Sequence, residues 1–457
     1  MRKLAILSLV AACNFAPAYE RPKSPVPDGV GDSSGQGLAA VDRGWRTVFA
    51  DPRLQRLIEL ALANNRDLRI AALNVEVARA THRIQRAPLL PQVSGVAAAN
   101  VVGTEDGIAS GITNLGLGSY RVGVGVSYEI DLWGRVRNQS EAAVQAYLAT
   151  VAAHRAAHLS LVNTVVAQYL RERAFDEERV LAEQTVKLVE EGVTLTKRQF
   201  EAGQRSDLDT ATAEAQLYAA RAEVVRLVGA RQQAENLLAL LIGQPVPSDL
   251  PAAQPLETQG IVEDLPAGIS SEVLLRRPDV LAAEHSLRAA NANIGVARAA
   301  FLPQISLTAF GGFASATLSK LFSGGFAWSV GGNLAQPLFD YGRNRATLEV
   351  AKLRKLVEVA EYEKAIQVAF REVADALVAR ATLDDQLAAV VSRADAEKRR
   401  YELSEMRYKS GIESYQTVLL AQQALYATQQ QLIELRLVRL VNLADLYLAL
   451  GGGWRES

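Results

Sequence analysis

One thiol, two histidines a helical turn apart and scattered carboxylates are the side chains of this sequence with chemistry to offer. Cys13 is the only cysteine. Arg2 and Lys3 precede the apolar run Leu4–Val10, and Val10-Ala11-Ala12 brings small residues up to the thiol. That is the layout of a bacterial lipoprotein signal, cleaved before Cys13, which is then the lipid attachment residue. A lone cysteine excludes an intrachain disulfide or a multi-cysteine metal site. His154 and His158 have a spacing that can bind zinc, but the glutamate of a metalloprotease motif is missing, so they read as a helix-surface pair. His82 and His285 are isolated. Glu190-Glu191 and Asp384-Asp385 fall in helical sequence and read as solvated charge. Gly311-Gly312 lies in strand-like sequence, without the strand–GxGxxG–helix setting of a nucleotide site. No catalytic constellation emerges. The expectation is a non-enzyme with no metal and no cofactor beyond the covalent lipid.

Composition narrows the class. A formal charge of −1 and a pI near 6.5 give no basic field for nucleic acid. Hydrophobic residues make up 49% of the chain. No run reaches the ~18 apolar residues that a transmembrane helix needs.

The elements that would position any site are written twice. Residues 65–94 align with 277–306 without a gap, and ten of the thirty positions are identical, among them Arg86/Arg298 and the Leu-Pro-Gln of 90–92 and 302–304. Later landmarks keep a second offset: Gly134-Arg135 with Gly342-Arg343, Gly203 with Gly411, and Leu217-Tyr218-Ala219 with Leu425-Tyr426-Ala427. Pro91 and Pro303 lack a backbone N–H and disfavour helix before them, so each marks a helix–strand junction. After each junction comes alternating sequence. The clearest case sets Val122, Val124, Val126, Tyr128, Ile130 and Leu132 against Arg121, Gly123, Gly125, Ser127, Glu129 and Asp131.

The expected plan is a signal at 1–12 and an extended tether at 13–50. Repeat one covers 51–243, with strands about 92–102 and 119–132, a long helix about 134–200, a turn near 203 and a helix at 207–242. A linker spans 244–270. Repeat two covers 271–454, with strands about 304–314 and 325–338, a long helix about 343–408, a turn near 411 and a helix at 414–450. Gly-rich residues 103–118 read as an exposed loop. A helix of that length measures roughly 100 Å. Tyr362, Ala369, Ala376, Leu383 and Val390 recur every seven residues, as do Val359, Ile366, Val373 and Leu387 with Arg380 interrupting, which implies packing against neighbouring helices.

If the strands face lipid, they must close into a barrel, because no backbone polar group can be left unpaired there. Closed membrane barrels have about eight strands or more. Four strands per chain cannot close alone. Two copies would supply eight and three would supply twelve, and arithmetic does not choose between them.

The lipidation signal, Trp45 with Phe49-Ala50-Asp51-Pro52, Asn65-Arg66-Asp67-Leu68, the doubled Leu-Pro-Gln, Tyr128-Glu129-Ile130-Asp131-Leu132-Trp133-Gly134-Arg135 and Leu450-Gly451-Gly452-Gly453-Trp454 occur in one joint order. Together they resemble the TolC-like outer-membrane factors, in the lipoprotein branch that serves RND multidrug efflux pumps. The resemblance implies a mixed fold: a twelve-stranded outer-membrane β-barrel on a long α-helical coiled-coil barrel in the periplasm, formed by a homotrimer with four strands per chain. It implies a passive exit duct for drugs and other small toxic compounds. The partners would be a periplasmic membrane-fusion adaptor, an inner-membrane RND transporter and outer-membrane lipid. Asn14 after the cysteine, rather than Asp, matches outer-membrane lipoproteins. The same fold also serves type I protein secretion, and a coiled-coil scaffold would leave the signal and strands unexplained.

The resemblance further assigns adaptor contact at the periplasmic tip to Gly203, Gln204, Arg205, Ser206, Lys409, Gly411, Ile412 and Glu413. The candidate gate is Asp207, Asp209, Glu214 and Tyr415. Repeat two departs from the acidic pattern, with Thr417 and Leu420 at the corresponding positions and Gln422 and Gln423 beside them.

Overall fold

The computed structural model describes residues 14–27, 29–30, 44–99, 120–204, 206–262, 269–270, 274–323 and 325–452. Cys13, Arg205, Trp454 and the loop expected at 103–118 lie outside the described residues. In chain order the elements are β1 (Gly29–Val30), α1 (Trp45–Val48), α2 (Pro52–Asn64), α3 (Arg66–Arg86), β2 (Gln92–Ala99), β3 (Tyr120–Glu129), α4 (Arg135–Glu201), α5 (Asp207–Ile242), β4 (Ile269–Ser270), α6 (Pro278–Ala299), β5 (Gln304–Ser315), β6 (Phe326–Ala335), α7 (Arg343–Lys409) and α8 (Tyr415–Ala449).

Two compact units divide these residues: 1–23, 74–151 and 282–363 in the first, 24–73, 152–281 and 364–457 in the second. The first unit holds an antiparallel four-stranded sheet of order β2-β3-β5-β6. Its two hairpins share one register, since Gln92 pairs with Ser127 as Gln304 pairs with Ala335. Between them β3 pairs with β5, from Tyr120 opposite Ser315 to Glu129 opposite Ser306. Side chains alternate across a strand. One face therefore collects Val93, Val122, Val124, Val126, Ile305, Leu307, Phe313, Phe326, Trp328, Val330 and Leu334. Val93, Val124, Leu307, Phe326, Trp328, Val330 and Leu334 are exposed in the chain. The other face carries Gln92, Ser94, Arg121, Ser127, Glu129, Ser306, Thr308 and Asn333, with four glycines.

The second unit is built of helices, with one two-stranded antiparallel pairing of β1 and β4. The residues between Asp51 and the first helix–strand junction form two helices, α2 and α3, rather than one. Asn65 leaves helical geometry with ψ 132. Its Oδ1 accepts the Leu68 N–H at 2.9 Å, capping α3, and its Nδ2 donates to the Leu241 carbonyl at the end of α5 at 2.9 Å. The same position in repeat two is Arg277. Its Nη1 donates to the Ala449 carbonyl at 2.8 Å, and its Nη2 meets Asp279 at 2.7 Å and Glu372 at 2.8 Å. In each repeat one polar side chain ties the start of a short helix to the last turn of another. At the start of α2, buried Asp51 caps Arg53 N at 2.8 Å and accepts the Tyr169 hydroxyl at 2.6 Å. The linker is packed rather than free: Leu256 is buried, its N–H donates to Glu177 at 2.7 Å, and Ile261 bridges Phe49. On α7, Tyr362, Ala369, Ala376, Leu383, Val390, Ile366 and Val373 are all buried, as the seven-residue spacing requires.

Candidate functional site

Three places concern function: the strand–helix corners, the N-terminal anchor and the helix–helix turns. At the repeat-one corner, Asp131 accepts the N–H groups of Val136 at 3.1 Å and Arg137 at 2.8 Å, capping α4. Glu129 pairs with Arg135 at 2.6 Å. Trp133 donates its indole N–H to the Pro303 carbonyl at 2.7 Å, and Ile130 N–H donates to the Ile305 carbonyl at 2.9 Å. The corner of repeat one therefore seats on the junction of repeat two. At the repeat-two corner Asp340 caps α7 through Gly342 N at 3.0 Å and Asn344 N at 2.9 Å.

The sequence showed an extended tether but not where it goes. It lies along α6. The Phe15 carbonyl accepts Arg298 Nη1 at 3.0 Å and the Pro17 carbonyl accepts Asn291 Nδ2 at 2.8 Å. Arg21 Nη2 meets Glu284 at 2.8 Å. Positions 298, 291 and 284 are seven apart, one stripe of the helix. Fourteen helical residues rise about 21 Å and six extended residues span about 20 Å, so the two run antiparallel in step. Glu284 is buried and also accepts Arg288 at 2.7 Å and the Tyr19 hydroxyl at 3.2 Å. Burial alone would raise its pKa, but the Arg288 and Arg21 hydrogen bonds outweigh it and hold the carboxyl below its usual value. The Phe15 ring packs on Trp133, centroids 6.4 Å apart, so the tether arrives at the strand–helix corner.

Both turns have the same build. Gly203 sits at φ 70 and Gly411 at φ 76. Gly203 N–H bonds to Phe200 O and Gln204 N–H to Gln199 O, and Gly411 and Ile412 repeat this with Tyr408 and Arg407 at 2.9 and 3.0 Å. These are paired 6→1 and 5→2 caps, which need a left-handed residue at the glycine. Ser206 then caps α5 through Leu208 N at 3.1 Å, and Ser414 caps α8 through Thr417 N at 3.3 Å. Asp207 and Asp209 lie in the first turn of α5, where the helix dipole favours carboxylates.

The four tip helices meet behind the turns. Val189, Val193, Ala213, Leu217, Tyr408, Tyr415 and Val418 form one buried cluster. Tyr408 donates to Gln199 Oε1 at 2.6 Å, and its ring lies 5.5 Å from that of Tyr415. Tyr415 is 6% exposed, and burial pushes its pKa up to about 12, leaving the phenol neutral. Glu214 pairs with Lys197 at 2.6 Å, Arg407 with Glu413 at 3.3 Å and Lys409 with Glu405 at 3.0 Å. Gly203, Gln204, Ser206, Asp207, Gly411 and Ile412 are exposed at the apices, and Asp209 is half-buried. The sequence reading missed Tyr408 and Tyr401, whose seven-residue spacing to Tyr415 was the available signal. Pro91 is exposed and Pro303 half-buried. His154 and His158 are half-buried on α4, and no group of three or more His, Cys, Asp or Glu among the described residues is placed to hold a metal.

A four-stranded sheet with an apolar exposed face, whose outer strands β2 and β6 each have an unpaired edge among the described residues, together with duplicated helical hairpins, defines one protomer of a TolC-like outer-membrane channel. The chain belongs to the outer membrane efflux protein family, whose model matches it over residues 57–244 and 269–452. It is 43% identical to the antibiotic efflux pump outer membrane protein ArpC of Pseudomonas putida, across 98% of this chain and 94% of the relative. It is 38% identical to the cation efflux system protein CusC of Escherichia coli, across 98% and 97%. The crystal structure of the open state of the MtrE outer membrane channel of Neisseria gonorrhoeae superposes with a TM-score of 0.87 at 43% identity, covering 97% of this chain and 99% of that one. The chain is thus an outer-membrane component of an efflux system.

Proposed function

We propose that three copies of the chain close one barrel in the outer membrane and continue it into the periplasm as a passive exit duct. The sheet carries this reading: among the described residues its outermost strands β2 and β6 each leave one edge unpaired, and one face is apolar and exposed. In lipid such edges must be paired, so other copies complete the sheet. Three times four strands gives twelve, within the range of membrane barrels. An inner-membrane RND transporter supplies energy and selects substrate, and a periplasmic adaptor docks on the tip at Gly203, Gln204, Arg205, Ser206, Lys409, Gly411, Ile412 and Glu413. The cargo is drugs and other small toxic compounds. Relatives at 43% and 38% identity are named for antibiotics and for cations, which supports placing substrate choice outside this chain.

Of the gate candidates, Asp207 and Asp209 supply the charge at the aperture. Glu214, paired with Lys197, and Tyr415, in the tip core, hold the turns from behind. Cys13 carries lipid that enters the membrane beside the barrel, and the seating of Phe15 on Trp133 supports this. Deleting the gene is expected to raise intracellular accumulation of an efflux-reporter dye, with wild-type accumulation contradicting the reading. Asp209→Ala is expected to alter single-channel conductance in planar bilayers. Intact mass is expected to lose the acyl increment in Cys13→Ser.

A further inference from the structure

The polar face of the sheet is almost without charge. In a membrane barrel the apolar face turns to lipid, so this opposite face lines the lumen. Among the described residues it carries two ionisable side chains, Arg121 and Glu129. Glu129 is neutralised by Arg135 at 2.6 Å. Arg121 is exposed, and its guanidinium lies 5.9 Å from the centre of the Phe310 ring. No carboxylate among the described residues pairs with it. Arg121 stands eight residues from Glu129, about 27 Å along β3 and away from the strand–helix corner.

The backbone allows the contact with Phe310. Arg121 pairs with Ala314 and Phe310 with Gly125, so the two are four residues apart along the strands, about 13 Å. Between them Gly123 faces Gly312. With no side chain there, the arginine stem runs along the wall and brings its charge to the ring face, an arrangement that holds a cation without neutralising it. Neighbouring positions on the same face are small: Ser94, Ala314, Ala327, Ser329 and Gly331. Nothing of opposite charge among the described residues screens the guanidinium from the lumen.

We infer that three copies of Arg121 form a belt of positive charge inside the barrel, which draws small polyvalent anions into the outer end of the duct and repels cations there. This rests on the trimeric duct proposed above and gives its barrel an ionic preference. Twelve strands about 4.8 Å apart and tilted by about 40° enclose a circumference of about 75 Å, so the wall stands about 12 Å from the axis. The Debye length is about 8 Å at physiological ionic strength, about 30 Å at 0.01 M and about 3 Å at 1 M. The field of the belt therefore covers much of the lumen at physiological salt, all of it in dilute salt, and only the wall at 1 M.

The test is single-channel recording of the full-length protein in planar bilayers, with citrate added on the barrel side only. Anions entering there meet the belt before they meet Asp207 and Asp209 at the tip. Reversible block is expected in the wild type and in Arg121→Lys. It is expected to be roughly tenfold weaker in Arg121→Gln and lost in Arg121→Glu. Phe310→Leu keeps the charge and is expected to keep the block. Wild-type block is expected to weaken steeply as KCl is raised from 0.01 to 1 M. Equal block in the wild type, Arg121→Gln and Arg121→Glu, each trimeric by native mass spectrometry, overturns the belt and leaves the duct standing. Wild-type block that is absent, or indifferent to KCl, overturns the belt without recourse to any variant. A wild-type protein that is monomeric and forms no channels overturns both.

Discussion

Gly123 and Gly312 face each other across β3 and β5, and adding one methyl group to either is expected to prevent normal assembly. A Cβ on Gly123 would lie 2.7 Å from the Gly312 Cα and closer still to the Gly311 carbonyl oxygen. A Cβ on Gly312 would lie 2.5 Å from the Gly123 Cα and closer to the Val122 carbonyl oxygen. Carbon atoms pack at about 3.5–4.0 Å, so the strands would have to part by about 1 Å. The obstacles are backbone atoms, and β2 and β6 hold the pair from either side, so no rotamer change relieves the clash. Overpacking costs about 1–3 kcal/mol, and a backbone obstacle puts this at the upper end, roughly a hundredfold in the folding equilibrium. The assay is the yield of heat-modifiable assembled protein, with Gly95→Ala as control because nothing lies within 4 Å of its Cβ. Gly331→Ala is a second control, with its nearest neighbour, Thr308 Oγ1, at 3.6 Å. Assembly of Gly123→Ala and Gly312→Ala in the same yield as Gly95→Ala would show that the β3–β5 pair tolerates the added methyl group.

Gly411→Ala meets no neighbouring atom, so its cost is that of the left-handed backbone alone, about 1–2 kcal/mol. Faster amide exchange at 405–415 with little change at the sheet is the expected readout. Asp51→Ala removes the α2 cap and strands the Tyr169 hydroxyl in a buried site, an expected loss of about 2–4 kcal/mol read as a lowered Tm. Tyr169→Phe keeps the cap and is expected to lose less. Glu284 has a folded pKa below its unfolded value, so its contribution is present above the ordinary carboxylate range and lost as pH falls through the folded pKa. Residues 14–21 are therefore expected to gain amide exchange in acid, and Glu284→Gln to show that exchange already at neutral pH.

Much of this architecture was legible in the sequence because two periodicities and one duplication carry it. Alternation laid out β3 and the seven-residue spacing laid out the buried stripe of α7. Glycines and prolines marked turns and junctions because the backbone there needs them. What was not legible depends on long-range partners. Asn65 splits one helical pattern into two because its side chain reaches Leu241, 176 residues away. The course of the tether follows from Glu284, Asn291 and Arg298, which look like ordinary helix-surface residues until Arg21, Pro17 and Phe15 are laid against them. At the tip, Glu214 and Tyr415 looked alike as gate candidates. Lys197 and the packing of Tyr408 separate them from Asp207 and Asp209.

In the proposed assembly, a four-stranded sheet becomes a membrane duct only when copies of the chain close it together. Electron cryomicroscopy of the detergent-extracted protein tests this directly. The expected particle has threefold symmetry, with one continuous barrel to which each chain contributes β2, β3, β5 and β6 and no strand edge left open. A monomeric particle, or an assembly whose β2 and β6 edges remain unpaired, would rule this assembly out.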